Sequence, residues 1–119
     1  MAADRSLKIF LACSEFTPLA KTGGLADVSA ALSTYFHFAG HDVRVLVPFY
    51  ASLELDGYVV GKVPDLQDLE MTLGGRSFKY GIVKASPGGA GPAVYLLDCP
   101  ELYGGTELYS GPEEHLRFI

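Results

Sequence analysis

Lys21, Gly23, Gly24 and Asp27 stand close together in the run Lys21-Thr22-Gly23-Gly24-Leu25-Ala26-Asp27-Val28, and their types suit one task, holding an anion and a sugar. The run follows an apolar segment of strand length, Leu7 to Cys13, and a loop, Ser14-Glu15-Phe16-Thr17-Pro18. A helical pattern opens at once, with Leu25, Val28, Leu32, Tyr35 or Phe36, and Ala39 recurring at helical spacing. A strand, a glycine loop and a helix start gather free backbone N–H groups and the positive end of a helix dipole at one point, which attracts phosphate. Lys21 adds a point charge there, and the glycines let a ligand approach the backbone with no Cβ in the way.

Neither common phosphate-loop spacing, G-x-G-x-x-G or G-x-x-x-x-G-K-[ST], occurs, and a Gly-Gly pair before a helix is also an ordinary tight turn. Asp27 falls in the first helical turn, where the dipole favours a carboxylate whether or not it binds anything. Its other reading is an acceptor for sugar hydroxyls of donor or acceptor. Glu15 either faces a cleft at the carboxyl end of the first strand, where open α/β sheets bind ligands, or is a solvated loop residue. Tyr103 and Tyr109 flank a polar, glycine-containing loop; their rings could stack on a sugar ring, or pack in the core or a turn. The three histidines, His37, His41 and His115, have no metal spacing, and His41 reads as a partner for carbonyls at the helix end. No nucleophile–base pair emerges. No catalytic residue is therefore assigned, and neither a metal nor a cofactor is expected.

These residues need a scaffold, and the flanking patterns describe one. Leu7 to Cys13, continuous but for Lys8, is expected to be a strand covered on both faces. The helix, about Leu25 to Ala39, ends before Gly40, a C′ glycine, and Asp42 to Val47 forms the next strand, closed by Pro48. A crossover of this length joins parallel strands, with a right-handed connection. The second half changes character, with short apolar or β-branched stretches at Tyr58 to Val63, Leu69 to Leu73, Phe78 to Ala85 and Ala93 to Asp98. Gly74-Gly75 between two of them is a hairpin signal, and Ser86 to Pro92 reads as a surface turn. The fold class is α/β: a parallel β-α-β core with antiparallel hairpin strands added. Near the end, Ser110 with Glu113 fits a capping box and Pro112 suits a first helical turn, yet the sequence stops at Ile119. That pattern predicts a piece of a longer chain.

Composition narrows the functional class. At 119 residues the chain makes one domain at most, and 49% of it is hydrophobic without any window of membrane-spanning length. A net charge of −5 argues against a nucleic-acid or anionic-membrane surface, while leaving room for a local anion site built from dipoles and a cation or two. The amino terminus lacks the basic stretch and apolar core of a signal peptide, so a cytoplasmic protein is expected. Cys13 and Cys99, far apart and without ligand spacing, read as buried reduced thiols.

The octapeptide from Lys21 to Val28 closely resembles the amino-terminal signature of bacterial glycogen synthases and plant starch synthases. Cys13-Ser14-Glu15 with Pro18, Gly40 to Pro48, and Val94 to Tyr103 are similar to further family segments in the same order, with the weakest likeness from Ser52 to Gly91. The resemblance implies a two-domain glycosyltransferase of the GT-B type, in which two Rossmann-like domains face each other across a cleft. Residues 1–119 would be a partial amino-terminal catalytic domain, its nucleotide-sugar partner domain not encoded. It implies transfer of glucose from ADP-glucose to an α-1,4-glucan, glycogen or starch. Lys21, Gly23 and Gly24 would line the ADP-glucose site, with Asp27, Glu15, Tyr109 and Tyr103 as possible sugar contacts. It further implies that this piece alone is inactive, and that the enzyme is a bacterial-type cytoplasmic one or a trimmed plastid protein. Two other readings stay open: a non-catalytic carbohydrate-binding or regulatory module of the same fold, and a different Rossmann-type nucleotide enzyme.

Overall fold

A computed structural model describes residues 5–104 of the chain. Its elements are β1 (Lys8–Ala12), α1 (Gly24–Phe38), β2 (Asp42–Pro48), β3 (Tyr58–Lys62), β4 (Leu69–Leu73), β5 (Arg76–Pro87), β6 (Ala93–Asp98) and the short α2 (Pro100–Tyr103). They build the mixed α/β fold that the patterns predict. β1 and β2 are parallel, with Ile9 opposite Val43 and Leu11 opposite Val45, and α1 forms the crossover between them. β6 pairs parallel with β2, and β5 pairs antiparallel with β6, giving the strand order β1-β2-β6-β5-β3. β4 folds back on β5 through Gly74 and Gly75, whose φ values of 56° and 76° are those of a tight hairpin turn. The expected hairpin is present, and β5 extends past both ends of the predicted Phe78–Ala85 stretch.

One face of this sheet carries the core. Val43, Val45 and Val47 on β2, Val94 and Leu96 on β6, and Val83 and Ala85 on β5 alternate inward and are buried. Phe16 and Leu19 from the loop after β1, Tyr50 after β2, and Tyr103 join the same cluster.

α1 ends as its sequence foretells. The N–H of Gly40 bonds to His37 O and the N–H of His41 to Phe36 O, with Gly40 at φ 98°: a Schellman termination. The His41 ring has a different part from the one expected. Its Nδ1 accepts the N–H of Leu7 at 3.0 Å, tying the entry of β1 to the helix end. That leaves Nδ1 as an acceptor and not as a donor to helix carbonyls.

The surroundings of β1 and the facing of α1 complete the picture. Among the described residues β1 is an edge strand, with Leu7 and Phe10 54% and 65% exposed. The helix turns its apolar stripe outward. Leu25, Val28, Leu32 and Tyr35 face outward, as does Phe38, whereas Ala26, Ser29 and Ser33 are buried against the sheet. Small side chains let the helix lie close to β2, and Ser33 meets its hydrogen-bonding need within the helix by donating to Ala30 O. Of the expected apolar face, Phe36 alone packs on the core.

Both cysteines are free, Cys99 buried and Cys13 half-buried, and burial raises both thiols above their ordinary range.

Candidate functional site

The glycine loop lies where β1 ends and α1 begins, at the carboxyl end of a parallel strand. Several ties fix the connecting residues. Cys13 N continues the β1–β2 pairing by bonding to Leu46 O at 3.0 Å. Ser14 O accepts the hydroxyl of the fully buried Tyr50 at 2.8 Å. Phe16 and Ala20 exchange two backbone bonds of 2.9 Å, closing a small loop whose Leu19 is buried. Thr17 N then bonds to Ala26 O at 3.2 Å, which clamps this loop to the first turn of α1. These bonds hold the backbone of Lys21 beside the helix start.

Charge in the loop is already paired. Lys21 Nζ donates to both oxygens of Asp27, at 2.9 Å and 2.8 Å, and Thr17 Oγ1 donates to Asp27 Oδ1 at 2.7 Å. The Lys21 bond, followed by the Thr17 bond, holds the Asp27 carboxyl below the usual carboxylate range. Glu15 differs from both sequence readings, which had it facing the cleft or solvated. It is 4% exposed, and its Oε1 accepts the N–H groups of Thr22 at 2.7 Å and Gly23 at 3.2 Å. Two of the loop amides credited with attracting phosphate are thus held by an internal carboxylate.

The two glycines show the converse. A Cβ built on Gly23 or Gly24 would meet no atom within 4 Å, and Gly23 has an extended backbone (φ −165°) open to any residue. Nothing within the described residues requires glycine at either position. The space is open on the outer side, and α1 has no side-chain cap.

The tyrosines divide. Tyr103 is buried, its ring edge-on to Tyr50 at 5.7 Å, which is the core-packing alternative of its two readings and not the sugar-stacking one. A ring enclosed in the core cannot stack on a polymer in solvent; it supports Tyr50, which in turn holds Ser14. Tyr109, and the helix start at Ser110, lie outside the described residues. Lys21, Gly23, Gly24, Asp27 and Glu15 are brought together; Tyr103 stands behind them.

Thr17 and Tyr50 escaped the sequence reading. Thr17 lies two positions after Glu15 in the same loop, and Tyr50 follows β2 at the same end of the sheet. Their positions at strand exits were the available signal. A concavity of about 450 Å³ lies at the other edge of the sheet, against β3, with Lys62 and Lys84 among its lining residues. It has no part in the loop. No group of His, Cys, Asp or Glu among the described residues could hold a metal ion, and none of their helices is long and apolar enough to cross a membrane.

Known proteins supply a context for this geometry. The starch synthase catalytic domain family matches residues 8–119. A glycogen synthase of Geotalea daltonii is 41% identical over 117 residues, covering 94% of this chain and 23% of the relative. Glycogen synthase 2 of Geobacter metallireducens is 43% identical over 107 residues, 90% of this chain and 21% of the relative. Among solved structures, the catalytic domain of starch synthase IV from Arabidopsis thaliana, bound to ADP and acarbose, superposes with a TM-score of 0.82 over 96% of this chain and 23% of that one, at 24% identity. The chain spans between a fifth and a quarter of the length of these relatives.

Proposed function

Because the chain belongs to the starch synthase catalytic domain family, we propose that it forms the amino-terminal part of a GT-B glucosyltransferase that moves glucose from ADP-glucose to the non-reducing end of an α-1,4-glucan. One observation carries this reading: the Lys21–Gly24 loop, fixed by the Phe16–Ala20 and Thr17–Ala26 bonds, sets a cation and an unobstructed backbone at the carboxyl end of β1. Glycosyl transfer leaves a diphosphate, and the charge growing on it needs donors placed in advance. Lys21 meets part of that charge, and the missing side chains of Gly23 and Gly24 let the donor sit against the helix start. Asp27 accepts a sugar hydroxyl once the donor has taken Lys21 from it. Glu15 acts behind the surface, holding the loop and not the sugar. The partners are ADP-glucose and glycogen or starch, the setting a bacterial-type cytoplasm, and the second domain of the fold supplies the remaining nucleotide contacts.

Glucose transfer from ADP-glucose to glycogen tests the reading. This chain, replacing the matching 23% of the Geotalea daltonii enzyme, is expected to sustain turnover, and Lys21→Ala to reduce it at least tenfold. The 119-residue chain alone is expected to show none. Turnover insensitive to Lys21 would refute the assignment.

A further inference from the structure

Three donors that the glycine loop could offer an incoming anion are each held by a carboxylate of the same chain. Glu15 takes the amides of Thr22 and Gly23, and Asp27 takes the ammonium of Lys21. The two carboxylates differ in access. Glu15 is enclosed, so its release would strand a buried charge. Asp27 and Lys21 keep 55% and 49% of their side-chain surface in solvent, and an exposed pair of this kind is weak. A diphosphate, carrying more charge than one carboxylate, outcompetes Asp27 for the ammonium without disturbing Glu15. Asp27 would not then drift away, because the Thr17 hydroxyl holds its Oδ1 and Thr17 is itself clamped to Ala26.

We propose that Asp27 holds Lys21 at the mouth of the site until an anionic ligand takes over the ammonium, whereupon the released carboxylate, kept in place by Thr17, accepts a sugar hydroxyl. The inference rests on the reading of Lys21 as a diphosphate-binding cation and deepens it: donor binding is an exchange of ionic partners, and the same event that seats the diphosphate arms the sugar contact. Lys21 and Asp27 then act in sequence on different parts of one ligand.

The test is a double-mutant cycle read by calorimetric titration with inorganic pyrophosphate, which has charge but no sugar. Asp27→Asn removes the competitor and is expected to bind pyrophosphate roughly two- to fivefold more tightly than the unaltered protein, the worth of an exposed pair. Lys21→Ala is expected to bind it more weakly, and the double variant no better than Lys21→Ala. With ADP-glucose as substrate of the chimeric enzyme described above, Asp27→Asn is expected to lower kcat, since the sugar contact is lost. A merely structural role would weaken both ligands together. If Lys21→Ala weakens pyrophosphate binding and Asp27→Asn does not strengthen it, the exchange is wrong while the Lys21 site stands. If Lys21→Ala changes nothing, or no protein of the set binds pyrophosphate, the underlying reading fails and the exchange goes with it. Both residues are exposed, and matching circular dichroism across the set shows that folding is not the variable.

Discussion

Tyr50 donates its hydroxyl to the carbonyl of Ser14 at 2.8 Å, joining the exits of β1 and β2 across 36 positions of sequence. The ring is wholly buried and braced edge-on by Tyr103, so the bond is made in a fixed geometry just before Glu15. Tyr50→Phe keeps the ring and removes the hydroxyl that makes this bond. The expected cost is about 1 kcal/mol of stability, read from denaturant unfolding. ADP binding should fall along with it, because the loop loses one of its fixed points.

Glu15→Ala is expected to be harsher, at about 2 kcal/mol or more, since it leaves the N–H groups of Thr22 and Gly23 without their carboxylate acceptor. Glu15→Gln retains a carbonyl oxygen and should recover part of that loss. Hydrogen exchange at the two amides checks the assignment: both should exchange faster in the Ala variant, with the Gln variant between.

Gly23→Ala and Gly24→Ala should separate folding from binding. With no atom within 4 Å of either new methyl group, thermal stability should hold, and the Gly24 substitution, at the first residue of α1, should raise it by up to about 0.5 kcal/mol. Affinity for ADP should nevertheless drop, because the methyl fills the space left open to a ligand. Loss of stability with affinity intact would contradict the ligand-side account of these glycines.

Acid should loosen the Lys21–Asp27 link. The Asp27 carboxyl titrates below the ordinary carboxylate range, chiefly because of its Lys21 bond. A carboxyl so depressed binds fewer protons in the folded state than in the unfolded one. Its contribution is therefore complete above its unfolded pKa, about 4, and is lost as pH falls through the lower folded value. Melting temperature against pH should show a smaller acid-side decline in Asp27→Asn than in the unaltered protein. Added salt should narrow the difference, as it does for an exposed pair.

Much of this was legible because it is local. The glycine loop, the Gly74-Gly75 hairpin and the termination at Gly40 each depend on neighbours in sequence, and the structure has all of them. The facing of α1 was not legible. Its sequence offers two stripes at helical spacing, and the apolar one was the natural choice; close packing on β2 favours the small one, Ala26, Ser29 and Ser33. Glu15 was misread for a related reason. An acidic residue in a loop reads as solvated until the chain returns at Thr22 and Gly23 to enclose it, and that return depends on the Phe16–Ala20 closure. Tyr103 was ambiguous because only its meeting with Tyr50 decides between core and surface.

The outward side of α1 governs how this polypeptide behaves in the tube. Leu25, Val28, Leu32, Tyr35 and Phe38 give water an oily seam along the helix, wet at nearly half its surface or more at every position. Such a seam invites molecules to stick to one another as they are concentrated. A single lysine at position 28 should keep the protein dispersed and leave the glycine corner untouched.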